Sequence, residues 1–243
     1  MLRALPPVLL LALSTAACTV GDLTPIDDDG DGSGGGGGDD TPDPTVSLQV
    51  APGLADTRLD TTTQFTVTVN ATDYAGDVAL VLENAPPSWE TSFSPDVLTF
   101  AGDGQLTSTL TVTIPPNGDT GTIATQVVGS ATMGEQVGAL SFSVDNVYEV
   151  PIANNTGAGG AHEWPDVTIN AGTTVRFVNY DTQVAHTIHA DGVIAHEDDQ
   201  MAKAPAAGQA GGSYEYTVTQ TGDSVFYCHD HGANTGTGLL VSE

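Results

Sequence analysis

Basic residues are nearly missing from this chain: 4 Lys and Arg stand against 31 Asp and Glu, a formal net charge of −27. That balance argues against nucleic acid and anionic membrane surfaces as partners, because neither phosphate nor anionic lipid is attracted to it. It suits a highly solvated exported protein, or one that docks a basic partner. The acidity is not confined to a tail, since 8 of the acids fall in residues 22–43, 11 in residues 56–145 and 12 from Glu149 onward. Cysteine is equally scarce. With only Cys18 and Cys228 there is no disulfide framework. The apolar run over residues 5–13 is too short for a permanent transmembrane helix. Ser-His-Asp, Walker and Rossmann signatures are absent, which leaves no motif for a hydrolytic triad or a nucleotide site.

What is present begins with a secretory leader over residues 1–18: Arg3, the apolar run, then Ser14-Thr15-Ala16-Ala17-Cys18. Small residues followed by Cys resemble a bacterial lipobox, with Thr15 where such boxes usually carry Leu. The reading predicts a lipidated Cys18, an acyl tether to the membrane, and a location on the periplasmic or extracellular face. Residues 19–44 read as a disordered acidic linker of Asp, five consecutive glycines and three prolines, with almost nothing to bury. Asp27, Asp29, Asp31 and Gly32 match half of an EF-hand loop. The twelfth position is Gly38, which offers no carboxylate, so a calcium site is not expected.

Residues 45–146 change to short alternating runs. Phe65-Thr66-Val67-Thr68-Val69 and the stretch from Leu106 to Ile114 alternate at period two. Further strands are expected at residues 78–82, 123–128 and 140–144. Pro86-Pro87, Gly102-Asp103-Gly104 and Pro115-Pro116-Asn117-Gly118 supply the turns. The spacing predicts an antiparallel β-sandwich, similar at the level of fold to the immunoglobulin-like (Ig-like) modules of bacterial surface proteins. Trp89 is expected in its core, and the domain is expected to act as a spacer.

Residues 147–243 form the second domain, with strands expected at 167–169, 174–178, 186–188, 214–218, 224–228 and 239–241. Residues 190–212 read as a loop or short helix. Near the end stands Tyr227-Cys228-His229-Asp230-His231-Gly232. A lone thiol in an exported protein invites oxidation unless something occupies it. A histidine three residues later, and others about forty residues upstream, suggest a metal. Thiolate plus two imidazoles is the ligand set of a blue-copper electron-transfer site. A zinc site of the same set remains the alternative, without a matching motif for a general base.

The run Val167-Thr-Ile-Asn-Ala-Gly172-Thr-Thr-Val-Arg-Phe177-Val-Asn179-Tyr-Asp181, with His186-Thr187-Ile188, resembles the cupredoxins, notably the plastocyanin and halocyanin type. Tyr214-Glu-Tyr216-Thr-Val, Phe226-Tyr-Cys228-x-x-His231-Gly232 and Gly238-Leu-Leu-Val241 extend the likeness in the right order. The resemblance implies an all-β chain, an Ig-like sandwich followed by a Greek-key cupredoxin sandwich. It also implies one copper per chain held by His186, Cys228 and His231. One-electron transfer is the implied function, with His231 as the exit and partner proteins that carry a basic docking surface.

One departure stands out. The family usually places Met a few residues after the second His, and the aligned residue here is Gly236; only Met133 and Met201 lie elsewhere beyond the leader. The axial position is then open, or filled by a carbonyl, water or another His, which shifts the potential. His189 and His229 are read as a strand and a loop residue. Their alternative role is a second metal site, as for the His beside the Cys ligand in multicopper oxidases and copper nitrite reductases. His162 and His196 have no assigned place. Two rival readings follow: a copper enzyme using the open position or a second copper, and a redox-inactive copper-binding or storage protein.

Overall fold

The computed structural model of the chain describes residues 43–154, 164–232 and 237–243. The leader with Cys18, nearly all of the linker, His162 and Gly236 lie outside the described residues. Pro42–Glu243 form one compact unit. Every helix or strand among its described residues is a strand, as the alternating runs predict.

The first half builds two sheets. One has the order β1 (Thr45–Ala51), β3 (Thr61–Thr72), β7 (Gly104–Ile114), β5 (Glu90–Ser94). The other has the order β2 (Leu54–Arg58), β9 (Gly134–Asp145), β8 (Gly121–Ala131), β4 (Ala75–Glu83), β6 (Val97–Ala101). Period two decides which side chains enter the core. Phe65, Val67 and Val69 of β3 are buried, as are Leu110, Val112 and Ile114 of β7 and Leu140, Phe142 and Val144 of β9. Phe65 and Phe142 join the sheets edge to face at 5.3 Å, and Trp89 packs on Phe142 at 4.8 Å. Trp89 is therefore core, as expected. Strands β1, β2, β5 and β6 lie outside the sequence-derived set. They are short, and Pro52-Gly53 or Ser94-Pro95 interrupts their pattern.

Only Asn146 separates β9 from β10 (Val147–Ile152), the first strand of the second half. Strand β10 pairs in parallel with β12 (Thr174–Asn179), which pairs with β14 (Ser213–Thr217). The facing sheet has the order β11 (Val167–Ile169), β16 (Gly238–Ser242), β15 (Gly222–Cys228), β13 (Ile188–Gly192). Phe226 of β15 is fully buried against Phe177 of β12 at 5.3 Å and Trp164 at 5.6 Å. Burying one such ring stabilises the fold by about 1.5–3 kcal/mol, and here it anchors the strand that ends in Cys228. Gly238 faces Phe226, and a Cβ there would collide with the aromatic ring, so the close approach of β16 requires glycine.

Two details differ from the sequence pattern. Residues 190–212 contain no helix; β13 runs into them to Gly192, and the rest is irregular. His186 is not in a regular strand, because the chain bends after Asn179 and rejoins the sheet only at Ile188. His186 instead forms an isolated antiparallel bridge with Met201.

Candidate metal centre

Strand β15 ends where the site begins. After Cys228 the chain turns, with the amides of His231 (3.2 Å) and Gly232 (2.9 Å) both donating to the Cys228 carbonyl. Gly232 has a φ of 73°, a left-handed conformation that glycine adopts without strain. This turn fixes the Cys-x-x-His spacing, because it folds His231 back beside the thiol that precedes it.

His186 arrives by a second route. The buried Asn179 at the end of β12 donates through Nδ2 to the carbonyls of Val184 and Ala202 and accepts the Asp181 amide on Oδ1. Asp181, also buried, accepts the amides of Gln183 and Val184 on Oδ1 at 2.7 and 3.1 Å. These bonds shape the loop that delivers His186. Its amide and carbonyl are then tied to Met201 at 3.2 and 2.8 Å.

The three side chains meet. His186 and Cys228 are sealed from solvent and His231 is half-buried, and one donor atom from each lies within 4.8 Å of the others. His186 Nδ1 is 3.2 Å from Cys228 Sγ. An ion with imidazole nitrogen at about 2.0–2.1 Å and thiolate sulfur at about 2.3 Å holds those donors roughly 3.5–3.8 Å apart. The pair needs to open by only a few tenths of an ångström. On its other side His186 Nε2 stands 3.4 Å from Asp181 Oδ2. A carboxylate on the far ring nitrogen fixes the tautomer that leaves Nδ1 free to bind a metal. Burial holds the His186 pKa below its usual value, against the pull of Asp181, so a neutral imidazole is favoured. Soft sulfur with two nitrogens in a closed, rigid pocket fits copper.

The remaining histidines follow from strand parity. Cys228 faces inward, so Tyr227 and His229 face outward; His186 and Ile188 face inward, so His189 faces outward. Register pairs Ile188 with Cys228 and His189 with Tyr227, whose rings stand 4.7 Å apart. His196 joins them from the irregular segment: Glu197 donates its amide to the Ile188 carbonyl at 3.0 Å and accepts the Ile188 amide on its carboxylate at 2.8 Å. Burial pushes the Glu197 pKa up, opposed by that amide. His189, His196 and His229 thus form a second cluster with donor atoms within 4.8 Å of one another. His229 is an exposed turn residue with His189 and His196 beside it, and His196 gains a place.

Sequence reasoning also missed the supporting contacts of Asp181 with the His186 ring, of Glu197 with the Ile188 amide and of Met201 with the His186 backbone. Met201 is buried beside His186, whereas Met133 is exposed in the β8–β9 turn. Asp181, in Asn179-Tyr180-Asp181-Thr182-Gln183, and Glu197, in His196-Glu197-Asp198-Asp199-Gln200, do not stand out from their polar neighbours. Met201 offered no signal either.

Residues 150–241 match the model of the copper-binding proteins of the plastocyanin/azurin family. No curated protein is significantly similar in sequence to the chain. Among solved structures, a chimeric titin Z1Z2 carrying an exogenous decorin peptide is 13% identical, with 82% of this chain and 96% of that one covered and a TM-score of 0.30. A family 123 glycoside hydrolase from Clostridium perfringens is 10% identical over 46% of this chain, with a TM-score of 0.34. This chain spans only 31% of that enzyme's length. The VesB protease of Vibrio cholerae is 9% identical, covering 41% of this chain and 31% of the protease, with a TM-score of 0.25.

Proposed function

Proceeding from residues 150–241 as a cupredoxin domain of the plastocyanin/azurin type, we propose that the protein is a mononuclear copper electron carrier. The observation that carries this reading is the buried contact between His186 Nδ1 and Cys228 Sγ, braced by Asp181 behind the imidazole. When bound, copper supplies a one-electron couple between Cu(I) and Cu(II). The chain's part is to hold the ligands still, so that little reorganises as the charge changes. The turn after β15, the Asn179 network and the Met201 bridge all serve that end. His231 is the half-buried member of the ligand set, which supports it as the electron's exit.

Met201 answers the missing loop methionine. Reciprocal backbone bonds make it the directly opposed partner of His186, and such partners project their side chains to the same side. A thioether on the ligand side of the histidine would offer copper a weak further donor. The acidity of the chain, with a formal net charge of −27, would steer a basic redox partner towards it. Export, and a lipid anchor at Cys18 beyond the long linker, would place it at the periplasmic or outer face of a membrane.

The test is voltammetry of the copper-loaded protein with stopped-flow exchange against a small redox couple. A reversible one-electron wave with fast exchange is expected. Met201→Leu should raise the potential, because Cu(II) loses a donor more keenly than Cu(I), while Met133→Leu leaves it unchanged. Slow exchange with tight Cu(I) binding would make this a storage protein, and multi-electron turnover of nitrite or a phenol would make it an enzyme. Equal effects of the two methionine variants would remove Met201 from the site.

A further inference from the structure

We propose that His189, His196 and His229 form a second metal site, open to solvent, that takes a divalent transition-metal ion and holds Cu(II) most tightly. It goes beyond the electron-transfer reading and does not depend on it, since it uses none of the same side chains.

The geometry is close to that of a bound ion. His196 Nε2 lies 3.3 Å from His229 Nδ1. Two nitrogens at about 2.0–2.1 Å from an ion stand about 2.9 Å apart at a tetragonal right angle and about 3.3–3.4 Å apart at a tetrahedral one, so the pair needs to shift by no more than a few tenths of an ångström. His189 sits against both, its ring centroid 4.8 Å from that of His196 and 5.5 Å from that of His229. Its Nδ1 is shielded from solvent, and among the described residues it has no hydrogen-bond partner. A buried imidazole nitrogen without a partner carries a desolvation cost, which a metal bound through that nitrogen would relieve.

The three rings are also held in place. His189 belongs to β13. The amide of His229 donates to the Thr187 carbonyl at 2.8 Å, which extends the ladder past the end of β15. His196 is pinned by the two Glu197–Ile188 bonds and, two residues earlier, by the Ile194 amide donating to the buried Ser224 hydroxyl at 2.8 Å. Rigid placement lowers the ordering cost of binding.

Chemistry selects the ion. Three imidazoles suit copper, zinc and nickel, and Cu(II) heads the affinity order; calcium and magnesium require oxygen ligands that this cluster does not supply. His196 and His229 are exposed, so the ion would keep a solvent-facing position. Asp191 Oδ1, 3.9 Å from His189 Nε2, adds negative charge beside a cation. Because Cys228 and His229 are consecutive, the two clusters occupy opposite faces of one sheet edge and are joined by a single peptide unit.

The experiment is a Cu(II) titration of the full chain followed by EPR, with His196→Ala and His229→Ala in parallel. Both changes are at exposed positions. An ordinary tetragonal Cu(II) signal with nitrogen coupling should grow in the wild type to one ion per chain and vanish in both variants at the same copper concentration. Any intense thiolate-to-copper absorption should persist in the variants, which separates this site from the buried one. If no thiolate band forms in any protein, the tetragonal signal and its loss still decide this proposal. A wild type that takes up no copper beyond the thiolate-bound ion would overturn it, as would a tetragonal signal that survives both substitutions.

Discussion

Cys228→Ser should abolish the intense visible absorption of the copper-loaded protein, the largest single effect expected of any side chain here. The band belongs to charge transfer from thiolate to copper, so no other residue can supply it. Serine offers a hard hydroxyl that stays protonated at neutral pH, and it loses the soft donor that distinguishes this site from a plain imidazole site. The fold should tolerate the change, because Cys228 is fully buried and the smaller hydroxyl lies within reach of the His186 Nδ1 that the thiol now contacts. Circular dichroism would check the fold, and absorption after copper loading would read the site. Strong colour surviving in a folded Cys228→Ser protein would remove the cysteine from the ligand set.

Asp181→Asn carries the second large effect, and it acts through a residue that never touches the ion. One Asp181 oxygen shapes the loop by accepting the Gln183 and Val184 amides, and the asparagine carbonyl can still do this. The other stands against His186 Nε2, where the amide NH₂ cannot accept a proton. The substitution therefore isolates the carboxylate–imidazole contact. Loss of such a partner lowers metal affinity by about 10- to 100-fold. Competition with a copper chelator would measure it, and Asp181→Ala, which also breaks the loop bonds, should be worse. An unchanged affinity in Asp181→Asn would reduce Asp181 to a loop-shaping residue.

The legible parts of this chain are those where chemistry and structure share a short spacing. Cys228 and His231 belong to one turn, so their distance in space is set by their distance in sequence. Strands β3, β7 and β9 are long and one face of each is buried, so their alternation stands clear. Strands β5 and β6 are only five residues each and are split by a proline, and their pattern is too short to read. His186 could be named by resemblance to the cupredoxins, yet its exit from regular strand geometry depends on hydrogen bonds from Asn179 that no periodicity announces.

The outer cluster was half legible. Period two already separates His229 from Cys228 and His189 from His186, putting the two outer imidazoles on one face. His196 was beyond reach, because it sits in an aperiodic, acidic segment whose position is decided by Glu197 and Ile188. Met201 was hidden for the same reason, since a backbone bridge across residues 186–201 leaves no mark on local sequence. The loop position of Gly236 lies outside the described residues, and Met201, bridged to His186 through the backbone, comes from a different part of the chain.

The most direct measurement is visible absorption and EPR of the purified protein during titration with Cu(II). An intense thiolate-to-copper band that saturates at one copper per chain, with narrow hyperfine splitting from that ion, is the expected result. The band is the readout, because copper bound at the outer histidines adds ordinary tetragonal EPR intensity and no thiolate colour. A weak band, or only tetragonal signals at every copper level, would contradict the assignment of His186, Cys228 and His231 as a mononuclear electron-transfer centre.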